Sequence, residues 1–338
     1  MRRFAIILGA GASHGALGTK KRPPLDTDFL ATARRVLCKS GRRDLGAVAW
    51  GDLREALEAA GLRESDVIKG RLEHLSTYLE ARVNMPGIQH GAGRPADYAK
   101  ALTALLRVIC FTLVRTGGTE ACPLHRALFE LVEPSCVLTF NYDLIADQSI
   151  QALNRLSWYG KSYCGSSISV IAATQKRYLR PPPLKRLRNV IPLLKLHGSI
   201  HWQAHKRGGG FNLWLDEIPD ASLIYSTPPD RPLVVPPVAA KMTIQKGSLR
   251  RFWSQAAKHL REAPGWIIWG YSFPKTDTVT HMLCREALTS NRRPKPVIVI
   301  NPDPGVAENV KASLRKIRVL HWVSVERFLL DHHKLKLP

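Results

Sequence analysis

Five short apolar runs, each closing on a cluster of Gly, Ser, Asn, Asp or His, constrain this chain more than any other feature. FAIIL runs into GAGAS (9–13), CVLTF into NYD (141–143) and VIPLLKL into HGS (197–199). GWIIW runs into GYS (270–272) and PVIVI into NPD (301–303). The runs are nearly continuous in apolar character, as strands buried on both faces are. Helical patterns over 144–156, 279–288 and 306–314 follow three of them. That alternation predicts an α/β fold with a Rossmann-like, mostly parallel sheet and right-handed crossovers. In such sheets ligands bind beyond the carboxyl ends of the strands. Polar clusters at all these ends therefore predict one shared crevice.

Each cluster also has a structural explanation. Gly9 and Gly11 satisfy G-x-G, but the third glycine of a dinucleotide fingerprint is due at position 14, where His14 stands, and Gly15 comes one place late. The turn suits amide N–H groups approaching a phosphate; a plain strand-to-helix turn would look the same. Asp303 followed by Pro304 is a helix start, and Asp277 is a second cap candidate. Tyr142 is a packing candidate. His197, followed by a glycine that leaves room for a ligand, is a candidate base. His201 lies four residues on, a metal-pair spacing on a helix. HGSIHW is not helical in pattern, so no metal site is expected.

Between the first turn and NYD, Leu72, Leu75, Leu79 and Val83 recur at helical spacing, as do Leu102, Leu105, Leu106, Ile109 and Leu113. Residues 46–124 read as helices inserted into a core of about 1–45 and 125–330, all within a single domain of 338 residues. The stretch 176–188 carries Lys176, Arg177, Arg180, Lys185, Arg186 and Arg188 around three prolines and reads as an exposed arm. Residues 205–215 read as a hairpin or turn, and 226–237 as a proline-rich loop.

Composition enters through charge. Lys and Arg number 50 against 27 Asp and Glu, a formal +23. Such a surface attracts nucleic acid, nucleotides, acidic proteins or anionic lipid; the basic arm is the candidate phosphate contact. The longest apolar stretch in the helical part, 101–114, is interrupted by Arg107 and is too short for a bilayer, so no membrane role is expected. Arg2-Arg3 and the following apolar run imitate a signal peptide but work better as a first strand. The six cysteines are scattered with no C-x-x-C, which predicts buried free thiols in a cytoplasmic protein and no zinc ribbon.

Taken in order, GAGAS, TFNYD, LHGS, GYS and INPD resemble the sirtuin-like NAD-consuming superfamily. More closely they resemble its bacterial antiphage-defence branch, which includes the Thoeris effector and sirtuin-like proteins partnered with a helicase or an Argonaute. The resemblance covers about 4–45 and 130–325. It implies that Gly9, Ala10, Gly11, Ala12 and Ser13 hold the NAD diphosphate. Asn141 and Asp143 would address the nicotinamide ribose and its attacking water, with Thr139 beside them and His197 as the catalytic histidine. Gly270, Ser272, Asn301 and Asp303 would serve the adenosine half, and Asp28 and Phe29 the nicotinamide. NAD is then a consumed substrate, and no resident cofactor is expected. The implied function is an NAD glycohydrolase that depletes NAD in defence. Its implied partners are further copies of itself and a helicase/ATPase or an Argonaute, and the charge adds nucleic acid as a candidate. Two alternatives stand beside it: a basic nucleic-acid-binding component with a degenerate crevice, and a protein deacylase. The missing zinc cysteines and T-F-N at 139–141, where deacylases carry T-Q-N, disfavour the last.

Overall fold

The computed structural model describes residues 3–16, 22–39, 44–84, 93–153, 170–172, 177–179, 190–204, 211–215, 228–229, 231–236, 249–289 and 294–332. Strand β1 (Ala5–Leu8) leads into helices α1 (Ala10–Ala16) and α2 (Phe29–Leu37). Then come α3 (Leu45–Ala59), α4 (Glu64–Val67), α5 (Leu72–Asn84), α6 (Pro95–Arg115) and α7 (Pro123–Val132). Next are β2 (Cys136–Thr139), α8 (Ile145–Gln151), β3 (Val170–Ala172), β4 (Arg177–Leu179) and β5 (Leu193–Lys195). They are followed by β6 (Gly198–Ala204), β7 (Phe211–Leu215), β8 (Pro232–Val234), α9 (Leu249–Glu262) and β9 (Trp266–Trp269). The chain continues through α10 (Thr278–Leu288), β10 (Lys295–Ile300), α11 (Gly305–Ser313), β11 (Ile317–Trp322) and α12 (Val325–Asp331).

Six strands form one parallel sheet in the order β11-β10-β9-β1-β2-β5. Counted along the chain within this sheet, that is the order 3-2-1-4-5-6 read from the β5 edge, the Rossmann arrangement. The order reverses between β1 and β9, so the crevice opens there. Every residue of β1, β2 and β9 is buried, which is why these strands lack apolar–polar alternation.

The helical layer differs in extent from the sequence expectation of 46–124. Helix α2 packs on α6 and α3, so the layer begins at Phe29. Helix α7 packs on α8 and α12. Helix α6 is its spine. Pro95 stands at the helix start, where its missing N–H costs nothing, and the Asp97 carboxylate accepts from Arg94 N at 2.9 Å. Ala101, Leu105, Val108 and Ile109 form its buried stripe, and each fully buried aliphatic chain of Leu or Val size contributes ~1.5–3 kcal/mol.

A second, five-stranded sheet, β4-β3-β7-β6-β8, was not anticipated. β6 and β7 pair antiparallel, in keeping with a hairpin near 205–215. β8 runs through the stretch read as a proline-rich loop. It is an edge strand opening on Pro232, where a missing donor is tolerated. Of the basic arm, Arg177 begins β4, paired with β3. Lys176, Arg180, Lys185, Arg186 and Arg188 lie outside the described residues. Cys110, Cys122, Cys136 and Cys284 are buried free thiols, Cys38 is exposed, and no helix among the described residues is long and apolar enough to cross a membrane.

Candidate functional site

Gly9, Asn141, His197, Gly270 and Asn301, one from each strand end, line a single cavity of about 760 Å³, a size typical of small-molecule sites. Ala10, Gly11, Ser13, Phe29, Asp143 and Ser272 line it as well.

The glycines at the switch point have a packing reason. A Cβ on Gly9 would stand 2.5 Å from Tyr271 Cα, and one on Gly11 would stand 2.9 Å from Gly270 O. Gly270 has φ +63°, and its Cβ would fall 1.9 Å from Ala12 N. The β1–α1 turn and the end of β9 are thus in backbone contact, fastened by Gly11 N–H donating to Gly270 O at 2.8 Å. Gly198, with φ +81°, does not leave space for a ligand. Its Cβ position is filled by Leu233 O, 2.0 Å away, where β8 crosses.

Asn141 clamps the end of β2 to the end of β1. Its Nδ2 donates to Gly9 O and to Ser13 Oγ, both at 2.9 Å. Gly9 O can only accept, which fixes the amide orientation. Thr139 is buried behind the site, where its Oγ1 accepts from Asn141 N at 3.1 Å. Asp143 is buried, and its Oδ1 accepts from Ile145 N at 3.1 Å. Burial pushes its carboxyl above the usual range, against the opposing pull of the Lys195 charge and a hydrogen bond with Ser13. Beneath the turn lies a fully buried ion pair, Lys195 Nζ to Asp147 Oδ2 at 2.8 Å, and the same ammonium donates to Asp143 O.

His197 is 8% exposed, and its ring centroid lies 5.1 Å from that of Phe140. Its backbone is fixed on either side: Val235 N donates to His197 O at 2.8 Å and Trp253 Nε1 to Leu196 O at 3.0 Å. Tyr142 both lines the cavity and donates its hydroxyl to Val235 O at 2.6 Å.

Four sequence candidates lie off the cavity wall. Ala12 is wholly buried in α1 under Gly270. Asp28 turns back on its own loop, accepting from Leu25 N at 2.8 Å, while its neighbour Phe29 does reach the cavity. Asp303 accepts from Gly305 N at 2.8 Å just ahead of α11, whose N-cap is Pro304 rather than Asp303. Thr139 sits behind Asn141, as described. Sequence reasoning missed the opposite wall. Asp26 and Arg71 line it as a pair, with Nε 2.5 Å from Oδ2. Asp26 also accepts from Glu73 N at 2.7 Å, and Leu72 N donates to Asp26 O at 3.2 Å, so this loop caps α5. His14 holds the same loop, its Nδ1 2.8 Å from Pro23 O. PPLDTDF points to the loop, but Arg71 carries no local signal. The far end, Val323 to Glu326, was also missed.

Two buried histidines make the fold acid-sensitive. His201 lies inside β6, its Nδ1 2.9 Å from Ser199 Oγ. His125 packs against Trp269, ring centroids 4.3 Å apart and tilted by 38°. Burial pulls each down to about 3. The unfolded chain therefore takes up protons that the native one refuses between pH 6.5 and about 3. Stability should be full above about pH 6.5 and fall toward pH 3, by up to ~1.4 kcal/mol per pH unit per ring. Urea titrations from pH 7 to 4 check this, and His125→Phe should make the decline shallower. No group of three or more His, Cys, Asp or Glu among the described residues is arranged to hold a metal.

No protein-family model and no curated protein matches the sequence. Solved structures similar in chain path include a Sir2 homolog–NAD complex, at 13% identity and TM-score 0.46, over 98% of this chain and 90% of that one. A Sir2–p53 peptide–NAD+ complex aligns at 12% identity and TM-score 0.40, over 99% and 95%. Sir2Af2 bound to a myristoylated histone peptide aligns at 12% and 0.37, over 71% and 82%.

Proposed function

We propose that this chain is a sirtuin-like NAD glycohydrolase of the antiphage-defence type, cleaving the nicotinamide–ribose bond. The observation that carries the reading is the meeting of Asn141, Asp143 and His197 with the Gly9–Gly270 contact in one cavity at the switch point. The ordered motifs described from the sequence point the same way.

The chemistry asks for few groups. The C1′–N bond breaks with both electrons going to the cationic pyridinium ring, which leaves as neutral nicotinamide. The ribose is left oxocarbenium-like, as in glycoside hydrolysis. Asp143 supplies a carboxylate on that side of the cavity to steady the positive charge. With Asn141 Nδ2 committed to Gly9 O and Ser13 Oγ, its Oδ1 is the amide atom suited to accept from the attacking water. His197 takes the proton as the water oxygen bonds to C1′. The products are ADP-ribose, nicotinamide and one proton. The buried aromatic wall of Phe140 and Tyr271, with centroids 4.6 Å apart, keeps competing water from the reacting face.

In this reading the protein assembles with itself, works with a helicase/ATPase or Argonaute partner, and acts in the cytoplasm. The +23 charge favours a second, compatible role, contact with nucleic acid through the basic arm. The test is to incubate the purified chain with NAD, alone and with DNA or RNA, and to follow nicotinamide and ADP-ribose together. Equimolar release of both is expected, increased by nucleic acid if the second role holds. Absence of release in every arm, from protein that melts cooperatively, would overturn the reading.

A further inference from the structure

The far end of the cavity lies over β10 and β11. It is walled by Asn301 after β10 and by Val323, Ser324 and Glu326 after β11. Asn301 N donates to Trp322 O at 3.0 Å and His321 Nε2 lies 2.8 Å from Asn301 O, so these two strand ends are locked side by side. The Asn301 side chain is engaged as well, its Oδ1 accepting from Asp303 N at 3.0 Å. Ser324 accepts from Arg327 N at 3.2 Å and starts α12, which sets Glu326 at the cavity rim. The nearest cation in sequence, Arg327, is paired with Asp331 at 2.7 Å. Among the described lining residues the single arginine, Arg71, stands just before α5 and is paired with Asp26. The far end thus presents a carboxylate and no lining cation among the described residues.

The proposed chemistry is at the other end, on the β2–β5 side of the switch point. A dinucleotide crossing that point leaves its non-reacting ribose over β9–β11. In nucleotide sites an acidic side chain hydrogen-bonds a free ribose 2′-hydroxyl, whereas a 2′-phosphate calls for an arginine. We infer that Glu326 is a specificity-determining residue that admits a dinucleotide with a free 2′-hydroxyl, NAD, and repels its 2′-phosphorylated form, NADP. This rests on the proposed NAD site. A phosphate of −1.5 to −2 charge facing one carboxylate at a solvent-open rim should weaken binding at least about tenfold.

The test separates binding from cleavage. Calorimetry with ADP-ribose and 2′-phospho-ADP-ribose, on the full chain and on Glu326→Gln and Glu326→Lys, reads affinity without turnover. Nicotinamide release from NAD and NADP reads the reaction. The inference expects the unphosphorylated ligand to bind about tenfold more tightly, Glu326→Gln to narrow that ratio at least threefold, and Glu326→Lys to narrow or reverse it. Preferential binding without nicotinamide release would defeat the glycohydrolase reading and leave the inference standing. Equal affinities in the native chain, a ratio unmoved by either variant, or no binding of either ligand would overturn it.

Discussion

His197→Asn is expected to slow nicotinamide release from NAD by about 10²–10⁴-fold, the usual worth of a positioned general base. Asparagine keeps a polar side chain at the site and cannot take the proton. Alanine is a poorer probe, because the ring is 8% exposed and packed against Phe140, so truncation opens a void in an aromatic cluster. Initial rates with NAD, set beside urea melts, separate the two effects: the rate should collapse while the midpoint moves little. Near-native turnover in His197→Asn would remove His197 from the chemistry. Asn141 needs a different reading. Asn141→Ala deletes the clamp on Gly9 O and Ser13 Oγ, so loss of rate there mixes positioning with catalysis. Asn141→Asp should be worse, since a carboxylate would face the Gly9 carbonyl, acceptor against acceptor.

The largest loss of stability is expected at Lys195→Met. Both members of the Lys195–Asp147 pair are wholly buried, and removing one partner of such a pair typically costs about 3–5 kcal/mol. The ammonium also donates to Asp143 O, so the variant loosens the turn that carries the candidate carboxylate. Lys195→Met combined with Asp147→Leu should recover much of the loss, because a buried ion pair and apolar residues of similar volume are often close in stability. Denaturant titration gives both numbers. A single variant within about 1 kcal/mol of the native chain would mean that water reaches the pair, contrary to its burial.

Five strands of the parallel sheet were legible because β1, β2, β5, β9 and β10 are buried almost throughout, whereas β11, half-exposed along its length, gave no such run. FAIIL, CVLTF and GWIIW are short, nearly continuous apolar runs, and their polar ends marked where the cavity opens. Two kinds of information were absent from local pattern. One is long-range capping. Lys295 opens PVIVI as if it were a flanking charge, yet its Nζ donates to Leu260 O, Arg261 O and Ala263 O and closes the end of α9. The other is what surrounds a glycine. Gly198 looked like room beside a base, but only the path of β8, hidden in a proline-rich stretch, shows that a carbonyl occupies it. The second sheet escaped for a related reason. Its pieces are three to seven residues long, and β8 has a proline at its start.

Asp26 and Arg71, 45 positions apart, meet at one wall of the cavity. The chain between them, with α2, α3 and α4, is a closed excursion whose two feet stand side by side. Doubling the length of such an excursion costs only ~0.6 kcal/mol of closure entropy. Chain length between these feet is therefore nearly independent of the width of the binding cleft. Added length there costs little in closure entropy, but Phe29, which lines the cavity from the start of α2, and the packing of α2 and α3 on α6 limit what can be trimmed.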